Sequence, residues 1–62
     1  MSKRGNTKQR ILEEAMKLFS IQGFDAVSIR TIADAVGVGN SALYKHFSSK
    51  QEILEAIVAY SM

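Results

Sequence analysis

The chain has no cysteine and a single histidine, His46. Disulfides and thiolate metal sites are therefore excluded, and one imidazole cannot form a cluster, so neither metal nor cofactor is expected. No apolar run approaches the roughly 20 residues of a membrane span. After the basic Met1-Ser2-Lys3-Arg4 the sequence turns amphipathic and charged, without the apolar block of a secretory leader. A soluble cytoplasmic chain with no membrane partner is expected. The parts of an enzyme are also missing. No nucleophile, base and orienter fall in a recognisable arrangement, and adjacent Glu13 and Glu14 are expected to face solvent. Gly37-Val38-Gly39 lacks the strand that a nucleotide-binding Gly-x-Gly requires, and is read as a turn.

What is present amounts to one small domain. A chain of 62 residues buries only about 60% of its unfolded surface and has no room for a large ligand cavity. Hydrophobic content of 47% is that of a globular protein, which excludes a disordered tail. The net charge of +2 is only mildly basic, so its distribution matters more than its size. Lys3, Arg4, Lys8 and Arg10 precede any acid, and no acid occurs between Ala35 and Gln51, a stretch that holds Lys45 and Lys50. Positive charge is gathered at two poles.

Residues 1–5 carry no apolar periodicity and are expected to be a flexible basic arm. A first helix starts at Asn6 or Thr7, where Asn6 and Gln9 have the form of a capping box. Its apolar stripe is Ile11, Leu12, Ala15, Met16, Leu18 and Phe19, with Glu13 and Lys17 as an exposed i,i+4 pair. Gly23 is expected to end it as a left-handed C′ residue, folding Phe24 back onto Phe19. Ser28 can cap a second helix, with Val27 and Ile32 as a hydrophobic staple and Ile29, Ile32, Ala33 and Val36 at i, i+3, i+4, i+7.

Gly37 closes the second helix, and only Val38 separates it from Gly39, the expected N-cap of a third. Two helices so joined must turn sharply against each other. Ala33 is small where they approach, and Val38 and Leu43 can plug the corner, which is the arithmetic of a helix-turn-helix. In the third helix Leu43 and Phe47 share one face, Ser41 and Lys45 point away from it, and Tyr44 and His46 flank them. That outer face is polar, small or basic, and suits a phosphate-lined groove. It is equally the solvated face of an ordinary amphipathic helix when read alone.

Ser49 and Glu52 form a second capping box and launch a fourth helix through Ile53, Leu54, Ile57, Val58 and Tyr60. Lys50 in its first turn opposes the helix dipole, which a phosphate partner would explain; a plain surface lysine is the other reading. Ala59-Tyr60-Ser61-Met62 offers no stop signal, so more helix is expected to follow. The fold class expected is all-α: a three-helix, homeodomain-like helix-turn-helix over residues 6–47, and the start of a fourth helix over 48–62.

From about Thr7 to Ile57 the chain resembles the N-terminal DNA-binding domain of the tetracycline-repressor (TetR) family of bacterial regulators. The resemblance is carried by Ile11-Leu12 through Phe19, Gly23-Phe24, Ser28-Ile29-Arg30-Thr31-Ile32-Ala33 and Ala35-Val36-Gly37-Val38. It continues through Leu43-Tyr44-Lys45-His46-Phe47, Ser49-Lys50 and Glu52-Ile53. It implies a three-helix head on double-stranded DNA, a fourth helix leading to a C-terminal domain that binds a small-molecule effector and forms a homodimer, and repression relieved by that effector. Carried over by position, Tyr44, Lys50 and Ser28 or Thr31 would contact phosphates, while Arg30, Asn40, Ser41 and Lys45 would face bases. Gly39 stands where Ser, Thr or Ala is more usual, leaving only backbone amides of the third helix to meet phosphate there. His46 is expected on the structural or phosphate side, and Lys3 and Arg4 of the arm could enter a minor groove. A competing reading is a helical protein-interaction or membrane-surface module, motivated by the wide apolar arc of the fourth helix and the basic arm.

Overall fold

The computed structural model of the chain describes the backbone of residues 6–61 and the side chains of residues 6–59. Helix α1 spans Thr7–Gln22, α2 Ile29–Val36, α3 Asn40–Tyr44 and α4 Lys50–Ser61, with a 3-10 turn at Phe24–Ala26; no strand occurs among the described residues. Asn6 caps α1, its Oδ1 accepting from the Gln9 amide at 3.2 Å. The reciprocal half of the box does not form. The Gln9 side chain instead donates forward to Glu13 Oε2 at 3.5 Å, one helical turn away. With Glu13 so engaged, Lys17 pairs with Glu14 at 3.5 Å, correcting the expected Glu13 partner.

Gly23 ends α1 with φ 90° and ψ 150°, not in the left-handed helical region expected. Its amide still donates to Phe19 O at 2.9 Å, but the chain leaves extended because it must enter the 3-10 turn, closed by Ala26 N to Gly23 O at 3.2 Å. The apolar clasp survives this change, with the Phe19 and Phe24 rings 5.1 Å apart. Ser28 then caps α2. Its Oγ accepts from the Thr31 amide at 3.1 Å and lies 2.9 Å from the Thr31 hydroxyl.

Gly37 does adopt the left-handed conformation, φ 91° and ψ 30°. The amides of Gly37 and Val38 both donate to Ala33 O, at 2.8 and 3.0 Å, in a Schellman-type stop. Helix α3 is short, and His46 N to Leu43 O at 2.9 Å shows it tightening into i→i−3 bonding, so Lys45 and His46 lie in the turn beyond it. Ser49 caps α4 through the Glu52 amide at 3.2 Å, while Glu52 Oε1 accepts from Ser48 N at 2.8 Å, one residue earlier than a regular capping box.

These caps set apolar residues against one another. Ile11, Leu12 and Ala15 of α1, Val27, Ile32, Ala33 and Val36 around α2, and Leu43, Phe47 and Ile53 form one buried cluster. Helix α1 is its hub, packing against α2, α4 and the 3-10 turn, whereas α3 packs on α2. Each large aliphatic buried here is worth about 1.5–3 kcal/mol relative to exposure. No described helix is long and apolar enough to cross a membrane.

Candidate nucleic-acid interface

The α2–turn–α3 unit presents its polar residues outward because its apolar ones are consumed inward. Ile32, Ala33, Val36 and Leu43 are buried, and Val38 packs against them in the corner. Arg30 on α2 and Asn40, Ser41 and Tyr44 on α3 are exposed, as are Lys45 and His46 just after it. Among the described residues, no hydrogen bond or ion pair holds the side chains of Arg30, Asn40, Ser41, Tyr44, Lys45 or His46. An unengaged polar side chain on a packed scaffold is free to meet a ligand at no cost in internal bonds.

The phosphate candidates differ in how far they are committed. Ser28 and Thr31 are tied to each other and to the start of α2, so their hydroxyls sit at a helix N-terminus in a fixed geometry. Gly39 has φ −77° and ψ 161°, an ordinary extended cap with no side-chain bond, and it accepts from Leu43 N at 3.1 Å through its carbonyl. Tyr44 is 50% exposed, its ring partly supported and its hydroxyl unbonded. Lys50 has partners that the sequence did not foretell. Its Nζ donates to Phe24 O at 2.7 Å and lies 4.3 Å from the Phe24 ring centroid. This explains a lysine in the first turn of α4 without any phosphate, although an ammonium has three donors and this bond uses one. Lys3 and Arg4 lie outside the described residues.

Two further basic side chains of α1 bear on the unit. Arg10 Nη2 donates to Val36 O at 2.7 Å, and Lys8 Nζ lies 5.9 Å from the Phe47 ring centroid. Local pattern gives no signal for either, since the partners are remote in sequence. The one available hint is that α2 has no basic residue in its own last turn. Among the described residues no group of acidic or histidine side chains could hold a metal ion.

Comparison with known proteins accords with this geometry. A family model described as bacterial regulatory proteins, tetR family, matches residues 11–57. The chain is 40% identical over 53 residues to the HTH-type transcriptional regulator SrpR of Pseudomonas putida, covering 86% of this chain and 25% of that protein. It is 43% identical over 51 residues to the HTH-type transcriptional regulator AcrR of Shigella flexneri, covering 82% and 24%. It is 39% identical over 51 residues to IcaR of Staphylococcus aureus, a negative transcriptional regulator of the biofilm operon icaADBC, covering 82% and 27%. The chain thus spans about a quarter of the length of these three relatives.

Proposed function

The chain belongs to the tetR family of bacterial regulatory proteins, a family of DNA-binding transcription regulators and not enzymes, and we propose that α3 is its recognition helix, read into the major groove of a pseudo-palindromic operator. The observation that carries this reading is the set of exposed, unengaged side chains Arg30, Asn40, Ser41 and Lys45 on a unit whose buried side is fully packed. Arg30 offers a fork for guanine O6 and N7, and Asn40 an amide for adenine N6 and N7, each such pair worth about 1–3 kcal/mol of discrimination. Ser41 and Lys45 extend the base-facing set. Phosphates are met by Tyr44, by the Ser28–Thr31 start of α2, by the amides following Gly39, by His46, and by the remaining donors of Lys50. These contacts fix register on the duplex and carry no sequence information themselves.

The division of labour within the protein follows. Residues 1–5, with Lys3 and Arg4, supply basic charge that adds electrostatic affinity, residues 6–47 form the head, and residues 48–62, which hold α4, lead toward a C-terminal domain. That domain supplies homodimerisation and a small-molecule effector site, and the whole acts as a cytoplasmic repressor. Two heads linked in a dimer gain the avidity a single head lacks.

Selection of duplexes from a random-sequence pool, followed by a salt titration on the selected site, tests the reading. Affinity should fall steeply with salt. Arg30→Ala should relax preference at one position with little change in slope, and Lys50→Ala should flatten the log–log slope by roughly one unit. A folded protein that binds no duplex, but binds vesicles or a protein at high salt, would establish the interaction-module alternative instead.

A further inference from the structure

We propose that Arg10 is a positioning residue for the recognition helix: from the first turns of α1 it locks the C-terminal end of α2 and so fixes the point from which α3 departs. This rests on the DNA-binding reading above and adds to it a residue that touches no DNA. The bond from Arg10 Nη2 to Val36 O is short, 2.7 Å, partly buried, and spans 26 positions of sequence. Val36 is the last residue of α2, so its carbonyl is among the terminal four that find no partner within the helix. The amides of Gly37 and Val38 both go to Ala33 O, one turn back, and leave the Val36 carbonyl to Arg10. Helix α2 also lacks a cation of its own in the last turn and carries Asp34 there, so the negative end of its dipole is answered from another helix.

The lever arm is short. Only residues 37–39 separate Val36 from the start of α3, and two of them are glycine. A rotation of the Val36 peptide would pass through this turn to the whole of α3, because no bulky side chain there resists it except Val38. The far end of the same segment is also met from α1, where Lys8 lies over the ring of Phe47. Helix α1 therefore touches the chain just before the turn and just after α3, bracketing the segment that carries Asn40, Ser41 and Lys45.

The test compares Arg10→Met and Arg10→Lys with wild type in two measurements. In amide hydrogen exchange without DNA, Arg10→Met should speed Gly37, Val38 and Leu43 about tenfold while Ile53 in α4 holds its rate, a tenfold change being the loss of one bond to a charged group. In binding to a selected duplex, Arg10→Met should lower affinity about tenfold at every salt concentration with the log–log slope unchanged. Arg10→Lys, which keeps the charge and a donor group on a shorter side chain, should recover part of both, and it serves alone should the methionine variant fail to fold. A slope flattened by roughly one unit with unchanged exchange would make Arg10 a phosphate ligand and overturn the proposal. Equal acceleration at all four amides would make it a general stabiliser, and no change in either measurement would leave it no role. A wild-type protein without salt-dependent affinity would sink the DNA-binding reading, while the exchange result would still decide whether Arg10 holds the turn.

Discussion

Before α2 the chain passes Gly23 at φ 90° and ψ 150°, and after α2 it passes Gly37 at φ 91° and ψ 30°. Both corners place a glycine at positive φ, follow it with an apolar residue, and receive a cation from a distant helix on a backbone carbonyl. Lys50 meets Phe24 O at the first and Arg10 meets Val36 O at the second. They differ in bulk. The first corner runs through a 3-10 turn with a Phe19–Phe24 clasp and Lys50 over the ring. The second has only residues 37–39, with Val38 as its one sizeable side chain. A corner padded with aromatics can give slightly and keep its contacts, whereas one made of backbone transmits any change directly into the next helix. The corner that leads into α3 is the unpadded one.

Truncation should separate the corners most strongly. Leu43, fully buried beneath the second corner, should cost about 2–5 kcal/mol as Leu43→Ala, read as a shift of the urea midpoint. Phe24→Ala should cost less, because Phe24 is half-buried and its carbonyl bond to Lys50 does not depend on the ring. Equal losses would mean that the two corners are coupled to the core alike. A finer probe uses asparagine, which tolerates the left-handed helical region but not the extended positive-φ region. Gly23→Asn should cost about 1–3 kcal/mol in thermal unfolding, and Gly37→Asn under about 1 kcal/mol. Were Gly37→Asn the worse, the ψ difference would not be what distinguishes the corners. The smallest effect is a gain. Gly39 has ordinary negative φ, and a Cβ there meets nothing within 4 Å. Gly39→Ser should therefore add an N-cap bond and stabilise by a few tenths of a kcal/mol, showing that the second glycine of the turn, unlike Gly37, is not required by the backbone.

Much of this was legible from residue type and spacing, because the deciding interactions are local. Ser28 capping α2, Gly37 in the left-handed region, Val27 and Ile32 buried together and Leu43 with Phe47 turned inward all depend on neighbours within one or two helical turns. The exposure of Arg30, Asn40, Ser41 and Lys45 follows from the same periodicity. What periodicity does not carry is a side chain reaching a carbonyl far along the chain, so the Arg10–Val36 and Lys50–Phe24 bonds had no signal. Competition among near-equivalent local partners is likewise invisible to spacing. Glu13 and Glu14 both lie within reach of Lys17, and Gln9 decided the matter by engaging Glu13. The 3-10 turn at Phe24–Ala26 leaves no mark in the apolar spacing, because Phe24 packs on Phe19 with or without it, and only the ψ of Gly23 records the difference.

Helix α3 spans only Asn40–Tyr44, far below the roughly 12–15 residues at which a helix begins to persist by itself in water. Its shape is therefore imposed from below, by Leu43 and by the turn, and not by the residues on its outer surface. Those outer residues carry no structural duty among the described contacts, so they can be exchanged one at a time without refolding the head. On the proposed reading, a lineage built on this scaffold changes the sequence it addresses by substituting at Asn40, Ser41 or Lys45 while inheriting the rest intact. The brevity of the helix is what keeps the vocabulary of recognition separate from the grammar of the fold.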